Sequence, residues 1–226
     1  MIDSTQTVAQ LVLDHSALAP VFQRHRIDFC CKGEMTLRDA CEQRGVDEAI
    51  VRADLERALA ERSGTEPTDP RTLATPALAA HIVSTHHAYL RRALPFARTL
   101  AAKVGKVHGE KDPRLEELAD VVAELEDQLV PHLDDEEQVL FPALSSREPD
   151  KGLIDRELSA MREEHLAVGK LLERMRELTD AFTSPTWACN SYRTLMGELE
   201  HIEGDTLTHV HVENHVLMPR FQGVRE

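Results

Sequence analysis

Two stretches of this sequence place the same pair of metal-binding side chains ahead of the same stop signal. His132-Leu-Asp-Asp-Glu136-Glu-Gln-Val139-Leu140-Phe141-Pro142 matches His209-Val-His-Val-Glu213-Asn-His-Val216-Leu217-Met218-Pro219. Residues four apart on a helix share a face, so each pair offers one imidazole and one carboxylate to the same neighbour. A single H-x-x-x-E is an ordinary surface ion pair on an acidic helix. Two copies before the same terminator point instead to a shared site. Glu136 also falls within an apolar stripe of Leu118, Val122, Leu125, Leu129 and Leu140. A carboxylate there is costly unless it is paired or bound to a metal.

The elements that must carry these residues are four long helices, read at about 76–104, 113–141, 150–182 and 186–218. Each is roughly 28 residues, or about 40 Å, and short connections make them an antiparallel bundle. The second and fourth then run the same way and hold their pairs at the same depth. The third helix adds its sole histidine, His165; the first offers His81, His86 and His87. The stripe Leu78-Ile82-Leu90-Ala93-Ala97 turns His86 nearer the core and leaves His87 at one margin. Four imidazoles and two carboxylates suit two first-row ions, with iron favoured because carboxylates can bridge it. Zinc needs only four ligands and calcium wants oxygens.

Residues 1–62 read as a small helical domain of short helices and tight turns. Ser16, Thr36 and Asp47 are candidate helix starts, and Gly45 a stop. Between two of the helices lies Asp28-Phe-Cys-Cys-Lys-Gly-Glu34, with Cys30 and Cys31 adjacent. Residues 63–76, rich in Pro, Ser and Thr, read as a linker, and 77–226 as the bundle. The expected fold is all-α. Aromatics are only 4% of the chain, which is poor material for a β-sandwich. The net charge of −14 argues against nucleic acid and anionic lipid. No apolar run approaches the roughly 20 residues that span a bilayer. MIDSTQTVAQ lacks the features of a secretion signal, so the expected location is cytoplasmic.

The whole pattern resembles one family, the iron–sulfur cluster repair di-iron proteins of the YtfE/ScdA type, themselves hemerythrin-like. The resemblance covers nearly the full chain. It rests on Asp28-Phe-Cys-Cys31, Thr36-Leu-Arg-Asp-Ala40, His87-x-x-Leu-Arg91, His132-x-x-x-Glu136, Glu164-His165 and His209-x-x-x-Glu213. It implies that the first-helix ligand is His87 rather than His86. It implies a non-haem centre of two irons, oxo- and carboxylate-bridged, on His87, His132, Glu136, His165, His209 and Glu213. Met218 stands where the family usually has Phe. Ordinary hemerythrins carry a further His four residues after the third-helix ligand; here it is Gly169, which favours a labile site over oxygen carriage.

The function this implies is repair of iron–sulfur clusters damaged by nitrosative or oxidative stress, with iron supplied to the damaged proteins as clients. The alternative is reduction or scavenging of nitric oxide at the two irons; a sensor of oxygen or nitric oxide ranks third. Cys30 and Cys31 are candidates for redox or metal handling, with Lys32 and turn amides favouring the thiolate. Glu164 is a candidate relay beside His165. Cys41 and Cys189 read as structural, His211 and His215 as solvated, and His15 and His108 carry no signal. A monomer and a homodimer are both compatible with the sequence.

Overall fold

The computed structural model describes residues 2–61 and 68–221. Among these the chain is all-α, and its only β-type pairing is the isolated bridge between Thr7 and Thr36. The expected linker at 63–76 lies partly outside the described residues. Its described part holds a 3-10 turn, Pro70–Thr72, and the start of a long helix. No helix among the described residues is long and apolar enough to cross a membrane.

The contacts divide the chain into two compact units. The first contains described residues 2–61, 68–73 and 207–221. Its four short helices are α1 (Val8–Asp14), α2 (Ala19–Arg24), α3 (Leu37–Arg44) and α4 (Glu48–Ala60). Side-chain caps fix where they begin. Thr7 accepts from the Gln10 amide, Thr36 from Asp39 and Asp47 from Ala49, each worth about 1 kcal/mol. Gly45, at φ 66°, closes α3 in the left-handed region that favours glycine. Ser16 opens a 3-10 turn instead of capping α2. Phe22, Phe29, Leu18, Leu37, Val51 and Leu55 form the core, joined by Val210. The free amides of α1 are satisfied by the cysteine turn, with Val8 donating to Met35 O and Ala9 to Gly33 O, both at 2.9 Å. Gly33 allows this approach: a Cβ there would lie 2.5 Å from Phe29 O and 2.6 Å from Ala9 Cβ.

The second unit holds residues 74–206. Helix α5 (75–108) consists of Thr75–Ile82, a π-turn Val83–His87 and Ala88–His108. Helix α6 (114–144) is built likewise, from Arg114–Asp135, a π-turn Glu136–Leu140 and Phe141–Leu144. Helix α7 (Lys151–Leu178) is unbroken and capped by Asp150. Helix α8 (190–220) starts in this unit as Asn190–Val212 and continues through a π-turn Glu213–Leu217 into a 3-10 turn. Apolar side chains such as Leu90, Leu94, Leu118, Leu125, Val168, Leu172, Leu195 and Leu199 are buried between them. Helix α6 packs on α5 and on α7. Tyr89–Glu198 and His86–Asp205 hydrogen bonds tie α8 to α5, and the buried Arg176–Glu203 pair ties it to α7. Four helices thus close around one core, the bundle read from the sequence.

Three boundaries differ from the sequence reading by four residues, the first being that of α5, which runs on to His108 where about 104 was expected. Helix α7 was expected to run to about 182 but ends at Leu178. The chain there enters the left-handed region at Asp180, Ala181 and Phe182, without glycine to announce the turn. Helix α8 begins at Asn190 instead of 186, after a turn in which the Ala188 amide donates to Pro185 O.

Candidate metal centre

In the second unit the donors gather around Glu136. The His87 Nε2 atom lies 3.3 Å from one carboxylate oxygen of Glu136, and His132 Nε2 lies 3.5 Å from the other. His132, Glu136 and His165 each offer a ligand atom within 4.8 Å of one another, as do His87 and Glu136. The His132 and His165 rings meet edge to face, 5.1 Å between centroids. None of these four residues is more than 4% exposed. Glu136 therefore sits between two imidazoles, with one oxygen facing each.

Both imidazoles are braced from behind. The His87 Nδ1 atom lies 2.9 Å from Glu137, and Arg91 in turn holds Glu137 at 3.0 Å. The His132 Nδ1 atom lies 2.7 Å from Glu164. A carboxylate behind an imidazole fixes its tautomer and aims the other nitrogen, the usual outer support of a metal-binding histidine. Burial works to raise the Glu137 pKa, but the hydrogen bonds with His87 and Arg91 outweigh it and hold the group below the usual glutamate range. The His132 hydrogen bond likewise holds Glu164 low. Glu164, read from the sequence as a relay candidate, touches His132 rather than serving His165 alone. His86 is also buried, but its Nδ1 faces Asp205 at 2.9 Å.

In the first unit, the His209 Nε2 atom lies 2.8 Å from Glu213, and both residues are fully buried. Glu213 opens the π-turn of α8, as Glu136 opens that of α6 and His87 ends that of α5. A π-turn widens the backbone and commonly marks a functional position. Nothing in the sequence reading foresaw the three.

The donor set fits a metal. Imidazole nitrogens and carboxylate oxygens, buried and aimed by outer carboxylates, match the preferences of iron and exclude a calcium-type site. A Cβ added at Gly169 would meet no atom within 4 Å, so the space beside this position is open.

Cys30 and Cys31 lie in the first unit, with their sulfurs 3.6 Å apart, and are not joined by a disulfide. With Asp28 they form a separate group of candidate metal ligands. The thiolate-favouring environment expected for the pair does not hold at Cys30. The turn amides of Cys30 and Cys31 bind the Asp28 carboxylate at 3.1 and 2.8 Å. The hydrogen bond with Cys31, burial and the Asp28 charge push the Cys30 thiol well above its ordinary pKa. The cysteine turn is held by α8 within the same unit. His211 Nδ1 lies 2.9 Å from Phe29 O, while Asn214 and His215 reach Cys30 O at 3.0 and 2.9 Å. The sequence reading of His211 and His215 as solvated is therefore corrected: His211 is buried, and desolvation lowers its pKa to about 4.

Residues 78–221 match the family model described as hemerythrin HHE cation binding domain, and residues 4–59 match a domain of unknown function, ScdA_N (DUF542). The chain is 31% identical to the iron-sulfur cluster repair protein ScdA of Staphylococcus haemolyticus, over 98% of this chain and 100% of the relative. It is 32% identical to the iron-sulfur cluster repair protein YtfE of Yersinia pseudotuberculosis serotype IB, over 95% and 96%.

Proposed function

This chain belongs to the iron–sulfur cluster repair family of hemerythrin HHE proteins, and on that premise we propose that it restores damaged iron–sulfur clusters with iron held as a pair of ions. His87, His132, Glu136, His165, His209 and Glu213 are the ligands in this reading, with the two His-x-x-x-Glu pairs acting as one centre. The hemerythrin match supports the union, since it spans all six residues. The observation that carries the reading is Glu136, one oxygen toward His87 and the other toward His132. That is how a carboxylate shared between two ions would be presented.

The iron is cargo here, and the residues must hold it without trapping it. Two carboxylates offset part of the charge of two cations, and the imidazoles bind as neutral ligands. Gly169 leaves the third-helix side of the centre one nitrogen short of an ordinary hemerythrin, which weakens retention. Glu164 links His132 to the outside, because its side chain is 47% exposed while one oxygen holds Nδ1. That carboxylate would balance the imidazolium formed if a proton took the metal's place on Nε2. The clients are iron–sulfur proteins with degraded clusters, and the cytoplasm is where such clients and reduced thiols coexist.

Cys30 and Cys31 stand outside the six-ligand set. A Cys30→Ser/Cys31→Ser protein should keep its full iron content and an unchanged visible spectrum. Its transfer of iron to an apo-cluster client should fall at least several-fold, read as cluster absorbance regained anaerobically. Full transfer by the double variant would remove the thiols from the account. Failure of the unaltered protein to restore any cluster, despite bound iron, would remove repair itself. In that event, catalytic formation of nitrous oxide from nitric oxide would favour the reductase reading.

A further inference from the structure

The first unit carries a donor set that the proposed iron pair does not use. Asp28, Cys30 and Cys31 each offer a ligand atom within 4.8 Å of one another. The two sulfurs are free and 3.6 Å apart, and Cys30 Sγ lies 3.3 Å from Asp28 Oδ1. A disulfide would need sulfurs at about 2.05 Å, whereas a metal ion needs a wider bite. With metal–sulfur bonds of about 2.3 Å, these sulfurs subtend about 103° at the ion, close to the tetrahedral angle of about 109°. A linear two-sulfur ion with the same bonds would need them about 4.6 Å apart. With a metal–oxygen bond of about 2.1 Å, Cys30 and Asp28 subtend about 97°. Three donors therefore stand near three corners of a tetrahedron.

The turn that carries them is held from several sides. The amides of Cys30 and Cys31 donate to Asp28 Oδ1 at 3.1 and 2.8 Å, which orients the carboxylate. Asn214 and His215 hold Cys30 O, and His211 holds Phe29 O. Donors already in place lose little freedom on binding. Cys30 is buried, but Cys31 and Asp28 are half-buried, so an ion is reached from their side and water can complete its shell. In the free turn, the hydrogen bond with Cys31, burial and the Asp28 charge keep the proton on Cys30. A dication reverses that balance: the thiol protons pass to solvent, and two thiolates and one carboxylate offset its charge. Sulfur donors exclude calcium and magnesium, and the divalent affinity order places zinc above iron.

We propose that Asp28, Cys30 and Cys31 form a tetrahedral site for one thiophilic divalent cation of the zinc class, separate from the iron pair and completed by water. An occupied site ties up both thiols, so metal binding and thiol chemistry at this turn exclude one another.

The test uses the full-length, iron-loaded protein, reduced and anaerobic, with zinc chloride as the probe. About one zinc per chain should remain after gel filtration, with the iron content unchanged. X-ray absorption at the zinc edge should show two sulfurs at about 2.3 Å and lighter donors at about 2.0–2.2 Å. Zinc should also slow alkylation of Cys31 by iodoacetamide at least about tenfold, read by peptide mass spectrometry against the exposed Cys189. Cys31→Ala should bind zinc at least about tenfold more weakly at the parent iron content. Asp28→Asn, which keeps an acceptor for the two turn amides, should weaken binding several-fold. Zinc surrounded by nitrogen and oxygen alone, or by one sulfur, would overturn the proposal even if a variant failed to fold. So would zinc that displaces iron instead of adding to it, or undiminished affinity in Cys31→Ala. Asp28→Asn binding as tightly as the parent would overturn the three-donor assignment.

Discussion

Glu136→Ala is expected to strip the protein of nearly all its iron. In the second unit, Glu136 is the one residue that faces two candidate imidazole ligands at once. Removing it deletes an oxygen donor at each proposed ion and leaves two buried positive centres with half their compensating carboxylate. Loss of an outer support of a metal ligand typically costs about 10–100-fold in affinity, and loss of a shared direct ligand costs more. The check is iron per chain after desalting against a chelator, with far-ultraviolet circular dichroism to confirm that the helices remain. The apo fold should persist, because Leu129, Leu133 and Leu140 on the same helix remain buried in the bundle core. A variant that retains the parent iron content would take Glu136 out of the centre.

The second large effect separates two neighbouring histidines. His87→Ala should lose at least half of the bound iron, while His86→Ala should keep nearly all of it. His87 aims Nε2 at Glu136 with Nδ1 braced by Glu137, whereas His86 turns its Nδ1 to Asp205 on α8. His86→Ala would instead cost stability, on the order of 1–3 kcal/mol, by leaving the Asp205 carboxylate without its imidazole. The paired readouts are iron content and melting temperature for each variant. Equal iron losses, or a larger loss from His86→Ala, would show that the ligand on α5 has been misassigned.

Why these neighbours were hard to separate from the sequence has a physical cause. Helical periodicity assumes about 100° per residue, and the π-turn Val83–His87 breaks that count just where the choice falls. Projected past the π-turn, the stripe from Leu78 through Ala97 misplaces the face of both histidines. The doubled His-x-x-x-Glu pattern escaped this problem, since each pair ends at the first residue of its π-turn and the spacing of four lies wholly in regular helix. Thr36, Gly45 and Asp47 were legible because capping is local chemistry within three residues. The left-handed turn at 180–182 was not, because it contains no Gly or Asn and depends on Thr179, Arg176 and Arg114.

The other misreadings concern partners distant in the chain. His211 and His215 looked solvated because helical spacing turns them about 160° and about 120° away from His209. What covers that face is backbone carbonyl, from Phe29 and Cys30, about 180 residues away. A carbonyl acceptor leaves no signature in residue type. The same holds for Cys189 and His108, 81 residues apart and each featureless alone. Local chemistry and repeated motifs were readable in this chain; pairings made by the fold were not.

The central claim is that six side chains hold two irons as one coupled centre. Mössbauer spectroscopy of the iron-57-enriched protein, quantified against protein concentration, tests it most directly. About two irons per chain are expected in the oxidised protein, seen as high-spin ferric sites with a diamagnetic ground state from coupling through a bridge. One iron per chain, or two with the paramagnetic spectra of isolated ions, would contradict it.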